Sequence, residues 1–287
     1  MSGPVKLSDY AYGKTGVRLV KVERHGTRHD LKDIDVAIQV FGAFEESFSQ
    51  GDNRSVLPTD TMKNTVYVLA RQQPLGQIED FGVRLSNHFL TRNSHLGRVI
   101  ITITENIWER IKSQGQPQES SFQMSGPERR TAAIDSNRAA TSVQSGIQNL
   151  VVLKTSQSAF EDFLRDDYTT LKDAKDRLLG SSITAEWSCP TQAGDFNETW
   201  QSVRSILLET FAAHESRSVQ HTLYAMGEAV LQKCNSIEQI RLSMPNRHCL
   251  LVDLAPFHLE NLNEVFVPVE EPSGLIEATL KRAQASR

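Results

Sequence analysis

Three cysteines in 287 residues, at positions 189, 234 and 249, are too few and too scattered for a disulfide framework. None of their spacings suits a metal-binding pair, so reduced thiols and a cytoplasmic location are expected. Long apolar runs are missing too, and no segment is expected to cross a bilayer. The start, Met1-Ser2-Gly3-Pro4-Val5-Lys6, lacks the apolar core of a secretory signal. The end, Ala285-Ser286-Arg287, departs from the peroxisomal tripeptide. Positive charge is in short supply: 31 Lys and Arg stand against 35 Asp and Glu, a formal net charge of −4. Nucleic acid and anionic membrane are bound through clustered positive charge, so neither is an expected partner. The basic stretches Glu128-Arg129-Arg130 and Lys281-Arg282 are short and interrupted. No CxxC, dinucleotide glycine fingerprint or nucleophile elbow occurs. Gly13-Lys14-Thr15 resembles the tail of a phosphate-binding loop, but that motif's first glycine would fall at Ser8. An enzyme with this sequence works without an obvious cofactor.

What is present is an ordinary globular composition, 39% hydrophobic and 23% charged, with a length that suits about two domains. The chain reads as the same pattern twice. Val17 to Val22 and Ile34 to Phe44 have strand character around a polar turn, Arg24 to Asp33. Met62, Val66 and Leu69, then Ile78, Phe81, Leu85 and Phe89, have helical spacing. Arg98 to Ile111 reads as strand, and Lys112 to Ser121 as a polar loop. The second half opens with strand-like Asn149 to Leu153 and Ile183 to Trp187. Two helices follow, on Trp200, Val203, Leu207 and Phe211 and on Val219, Leu223, Met226 and Val230. Strands return over Ile237 to Asp253 and around Val265 to Val269. The pattern predicts an α+β fold of two units, residues 1–140 and 141–287, each an antiparallel sheet with helices on one face. The boundary is expected within Asn137 to Gly146.

Within this frame a few polar groups invite a chemical reading. Ser243-Met244-Pro245-Asn246-Arg247-His248 reads as a strand whose alternation puts Asn246 and His248 on one face, roughly 7 Å apart. Asparagine both donates and accepts hydrogen bonds, and histidine is the side-chain type that exchanges a proton near neutral pH. Taken alone, such a pair is more often a satisfied polar edge than a catalytic one. Thr59-Asp60 and Ser218-Val219-Gln220 open helices. Capping accounts for both, while the free N–H groups there also suit a small anion. The pairs His25/His29, His88/His95 and His214/His221 lack the further ligands of a zinc site, and solvated or core-edge positions are expected. Phe160 to Arg177 sets aromatics and arginines around a dense polar run. Phe160 and Phe163 suit a core, yet a ring to stack and a guanidinium to clamp also suit a planar, oxygen-rich anion.

These segments together resemble the urate oxidase (uricase) family. The resemblance is carried in order by Tyr12-Gly13-Lys14, Thr59-Asp60-Thr61-Met62-Lys63-Asn64-Thr65, Phe163-Leu164-Arg165-Asp166, Tyr168-Thr169-Thr170-Leu171-Lys172, Asp176-Arg177, Ser218-Val219-Gln220, Pro245-Asn246-Arg247-His248 and Pro272-Ser273-Gly274-Leu275-Ile276. It implies two tandem tunnelling-fold (T-fold) units that oligomerise into a β-barrel tunnel, as a homotetramer with sites between subunits. It implies oxidation of urate by dioxygen and water to 5-hydroxyisourate and hydrogen peroxide, with neither metal nor organic cofactor. By the same resemblance Arg177 and Gln220 grip opposite ends of urate, the Val219 N–H assists, and Phe160 stacks on the ring. Thr59 and Asp60 reach in from the neighbouring chain. Lys14, Thr59 and His248 form the proton relay, and Asn246 holds dioxygen or the attacking water. Arg247 stands where a lysine also occurs in the family. The absent peroxisomal ending favours a bacterial-type cytoplasmic member. A non-catalytic or differently reacting T-fold purine or pterin binder is the alternative; it keeps the Phe160/Arg177/Gln220 grip without needing the Lys14/Thr59/His248 set.

Overall fold

The chain begins with a long hairpin, β1 (Tyr12–His25) and β2 (Arg28–Gly42), paired antiparallel from Tyr12↔Val40 to His25↔Arg28. The connection is only Gly26-Thr27, with Gly26 at φ +68°, so the polar residues 24–33 expected to form the turn mostly continue the ladder. The computed structural model describes residues 5–189 and 195–283; the terminal residues 1–4 and 285–287 considered above lie outside them.

Contacts divide the chain into two units, Met1–Ser145 with Cys189–Phe196, and Gly146–Ser188 with Asn197–Arg287. In the first, β3 (Leu96–Ser113) pairs with β2 and β4 (Gln116–Asn137) with β3, all antiparallel. A short helix α1 (Glu45–Ser49) precedes α2 (Thr59–Gln72), which packs on β1, and α3 (Ile78–Arg92), which packs on β3 and β4. Alternate residues Ile34, Val36, Ile38 and Val40 of β2 and Val99, Ile101 and Ile103 of β3 are buried, as a half-covered sheet requires. Met62 and Val66 of α2 and Ile78, Phe81, Leu85 and Phe89 of α3 bury the matching helix stripes. The helix α3 sits close because Gly82 has no side chain: a Cβ there would lie 2.2 Å from Ile134 Cδ1.

The stretch Lys112 to Ser121, expected as a loop, is the tip of the β3–β4 hairpin. Gln114 and Gly115, at φ +51° and +79°, make the turn; Ser113 pairs with Gln116 and Lys112 with Pro117, and a register shift separates these pairs from Arg110↔Phe122. Both faces of this tip are exposed, so polar residues on successive positions are no obstacle to a strand. The turn at 138–140 closes on Asn137, whose Oδ1 accepts the Ala139 and Ala140 N–H groups at 2.8 and 2.9 Å.

The second unit holds most of β5 (Thr141–Lys154), then β6 (Leu179–Cys189), β7 (Gln239–Ser243) and β10 (Glu277–Lys281), neighbours in that order. Its helices are α4 (Phe196–Ala213) and α5 (Val219–Lys233), the latter lying on β7 and β10. Trp200, Val203 and Leu207 of α4, with Leu223, Met226 and Val230 of α5, fill the core against Ile183, Ala185, Ile240 and Leu242. Trp200 keeps its indole N–H satisfied by donating to the Gly146 carbonyl at 3.1 Å. β8 (Asn246–Leu251) pairs with β6 and with β9 (Phe266–Gly274). The expected single strand over 237–253 is therefore two. Pro245 has no N–H to give the ladder, Met244 N instead donates to Ile276 O at 2.8 Å, and Ser181 Oγ binds Pro245 O at 2.9 Å. No helix among the described residues is long and apolar enough to cross a membrane.

Candidate active site

The implied site residues fall into two sets, one in each unit. In the second unit the positioning begins with two small bridges. Ser158 pairs with Ser216 in parallel, and Phe160 pairs with Ala174 antiparallel. Ala159 N donates to Ser216 O at 2.8 Å, Arg177 N to Ser158 O at 2.8 Å, and Ser158 N to Asp176 Oδ1 at 3.0 Å. The polar run 160–177 thus returns on itself and is stitched to the residues just before α5. Ser216 Oγ donates to Ser218 O at 3.1 Å and accepts from Thr222 Oγ1 at 2.7 Å, fixing the start of that helix.

This stitching brings Arg177 over the Phe160 ring. The Arg177 Cζ lies 5.1 Å from the Phe160 ring centroid. On Phe160 stacks Phe163, with centroids 4.9 Å apart and planes within 10°, and Arg165 Cζ lies 4.4 Å from the Phe163 centroid. Arg165 is exposed and paired with Asp173 at 2.8 Å. Arg177 differs: its Nε is buried with no hydrogen-bond partner among the described residues. Burial also holds its guanidinium below the ordinary arginine value. A desolvated cation above an aromatic ring is a receptor for a planar anion.

Beside it stands the amino end of α5. Ser218 is the N-cap, its hydroxyl accepting the His221 N–H at 3.1 Å, so capping is the right account of that serine. Val219 is the first helical residue, its side chain buried and its N–H among the donors a helix leaves without an internal partner. Gln220 follows and is exposed. On β8, Asn246 is buried, Arg247 exposed and His248 half-buried, the expected alternation. Asn246 is held from both sides, by Ser181 of β6 and Gly274 of β9, and a register shift on β9 separates it from the His248↔Val269 pair.

The first unit supplies the other set. Lys14 is the last residue of β1 paired with β2 (Lys14↔Ile38) before a bulge that resumes at Val17↔Val36, with Gly16 at φ +68°. Gly13 permits this: a Cβ there would sit 1.9 Å from the Ile38 carbonyl oxygen. Thr59 is not a cap. It is the first residue of α2, Pro58 occupies the cap position, and no side chain closes the helix end. Asp60 is exposed, and its carboxylate accepts from Lys63 Nζ and, at 3.0 Å, from Asn64 Nδ2. The Lys63 bond and charge hold the Asp60 carboxyl below the usual range, and Lys14 adds to the effect, so Lys14 and Asp60 share one neighbourhood.

The histidine pairs take the expected surface and core-edge positions. His25 and His29 flank the first hairpin turn, with His25 Nε2 at 3.5 Å from Asp30 and His29 against Arg24. His214 and His221 meet edge to face, their centroids 4.3 Å apart, beside the Ser216 anchor. Burial, then the charges of His221 and Lys154, hold His214 below its ordinary 6.5, with Glu215 opposing. His88 shifts the same way through burial and Arg92. A histidine depressed on folding stabilises fully above its unfolded value and loses that contribution as pH falls below it. The melting temperature is therefore expected to drop as pH falls from about 7 to about 5. His214→Asn, a neutral mimic, is expected to flatten that slope in thermal melts, and identical slopes would refute the assignment.

Both matched stretches carry these residues. A family model described as Uricase matches residues 10–135 and 143–277. The uricase of Dictyostelium discoideum is 40% identical over 282 residues, covering 97% of this chain and 98% of its own length. The uricase of Arthrobacter globiformis is 40% identical over 278 residues, covering 97% and 90%. The crystal structure of uricase from that organism superposes with a TM-score of 0.93 over 99% of this chain and 97% of its own. Urate oxidase from Bacillus sp. TB-90, at 23% identity, shares the fold with a TM-score of 0.84. With relatives aligned over nearly the whole length and the fold reproduced, the chain is a tandem T-fold protein and belongs to the uricase family.

Proposed function

We propose that this protein is a urate oxidase, converting urate, dioxygen and water to 5-hydroxyisourate and hydrogen peroxide without metal or organic cofactor. The observation that carries the reading is half-buried Arg177, whose Nε is buried without a hydrogen-bond partner among the described residues and whose guanidinium is set over Phe160. An anionic purine offers coplanar oxygens and nitrogens to the guanidinium and to Gln220 at the other end. The Val219 N–H joins at the helix terminus, and the purine face meets Phe160. Urate is an anion at neutral pH, and removing a further proton makes it electron-rich enough to reduce dioxygen directly. The protein then needs a base relay and support for a developing dianion more than it needs a metal. Lys14, Thr59 and His248 form that relay, and Asn246 holds dioxygen or water above the purine.

In this reading Lys14, Thr59 and Asp60 come from the neighbouring subunit of a cytoplasmic homotetramer. Leu250 of β8 and its register partner Val267 of β9 are 54% and 48% exposed on one face, apolar groups of the kind a second copy covers. The free thiols of Cys234 and Cys249 suit a reducing compartment.

Loss of urate absorbance, with matched dioxygen uptake and peroxide release in the presence of a chelator, is the expected result. No turnover by the assembled protein would sink the oxidase reading, and chelator sensitivity would sink its cofactor-free part. Lys14→Met and Thr59→Ala are each expected to lower kcat by roughly 100-fold, the usual scale of a lost acid–base group. Full turnover with an unchanged pH profile in both would remove the relay.

A further inference from the structure

We propose that Tyr12 is a positioning residue for the reaction, its hydroxyl tying the strand that carries Lys14 to the start of the helix that carries Thr59. This rests on the relay assigned above to Lys14 and Thr59. Tyr12 lies two residues before Lys14, and Leu57 two before Thr59. The Leu57 N–H donates to the Tyr12 hydroxyl at 2.8 Å, a bond spanning 45 positions of the chain.

Each end of this tie is otherwise loosely held. Helix α2 has Pro58 at its cap and no side-chain cap, so nothing of that kind fixes its first turn. The β1–β2 ladder is interrupted by a bulge between Lys14↔Ile38 and Val17↔Val36, so regular pairing adjoins Lys14 on its amino-terminal side and resumes only at Val17. Tyr12 is the firm point on that side. Its ring meets the fully buried Phe44 edge to face, with centroids 4.8 Å apart, and Gly13 lets β1 press onto the Ile38 carbonyl. Burial raises the phenol while the Leu57 bond opposes this, so at neutral pH the group is an uncharged hydroxyl that accepts the amide proton. Phe44, Tyr12 and Leu57 therefore form a rigid line between the core and two groups that must exchange a proton. A relay depends on sub-ångström alignment, and a displacement near 1 Å costs up to about 100-fold in rate.

The test is Tyr12→Phe, which keeps the ring against Phe44 and removes the bond. The expected result is a kcat roughly tenfold lower, a KM for urate within about twofold and a shifted pH–rate profile. In a Thr59→Ala background the same change is expected to add nothing, since Tyr12 acts through the relay. Leu57→Pro removes the bond from the donor side and is expected to reproduce the split; both variants are assayed below their melting transitions. Wild-type kcat and pH profile in Tyr12→Phe, or a full additional loss in the Thr59→Ala background, overturns the proposal. If Lys14→Met and Thr59→Ala themselves keep turnover, the relay beneath it falls instead.

Discussion

Arg177→Met is expected to move binding and stability differently, raising KM for urate by about 30- to 4000-fold while leaving the melting temperature of the free protein unchanged or higher. The first effect follows from what the guanidinium lacks. Its Nε is buried without a hydrogen-bond partner among the described residues, and burial alone depresses its pKa. Truncating one member of a desolvated charge pair weakens binding by about 2–5 kcal/mol, and about 1.4 kcal/mol corresponds to tenfold. The second effect follows from the same fact. A buried charge without its counter-ion opposes folding, and an apolar side chain of similar length removes that penalty. Arg177→Lys keeps the charge but not the planar fork, and is expected to lose at least tenfold in kcat/KM. Steady-state kinetics beside thermal melts decides between roles. If Arg177 served packing, the methionine variant would melt earlier and bind urate normally.

The contrast between Arg177 and Arg130 shows what the sequence conveys and what it withholds. Periodicity is legible where side chains on the inward face are apolar. Thus α2, α3, α4 and α5 lie where Met62, Phe81, Leu207 and Met226 put them, and β2 and β3 follow their alternating Ile and Val residues. β4 is illegible for the opposite reason. Its inward positions are Arg130, Ala132, Ile134 and Ser136, so the alternation carries little apolar signal. Arg130, which reads as part of a short basic stretch, is only 5% exposed. β10 is five residues long with one half-buried position, too short for a period-two pattern to register.

The site divides in the same way. Phe160, Arg177, Asn246 and His248 are visible as unusual residue types in ordered stretches. The fold's contribution, the bridges that set Phe160 beside Arg177, consists of backbone hydrogen bonds among residues 157–160, 174, 177 and 216. Backbone bonds leave no trace in residue identity. Tyr12 was visible only as a neighbour of Gly13-Lys14, because its partner is an amide N–H on another element. The helix start at Thr59 misleads for a related reason: threonine is a good cap, but the preceding proline takes the cap position.

Glu79→Leu is expected to destabilise the first unit by about 3–5 kcal/mol, the scale for leaving a buried charge without its partner. Glu79 is fully buried in the first turn of α3, where a carboxylate also complements the helix dipole. It accepts from Arg130 Nη2 at 2.7 Å and from Ser145 Oγ at 2.7 Å. Removing the carboxylate takes the Glu79 charge away from Arg130, whose side chain is 6% exposed on β4. The double variant Glu79→Leu/Arg130→Met is expected to recover most of that loss, because replacing both members of a buried pair by apolar groups is often neutral. Ser145→Ala removes one neutral donor and is expected to cost about 1 kcal/mol. Melting curves at one fixed protein concentration test all three, since assembly raises apparent stability by mass action. A Glu79→Leu protein that melts with the wild type would mean the pair contributes no net stability. A double variant as unstable as the single would mean the loss comes from packing at the α3 start rather than from the stranded charge. The pair lies on α3 and β4, not on β1 or α2, which carry Lys14 and Thr59, so kcat in folded Glu79→Leu protein is expected to stay near wild type while heat resistance falls.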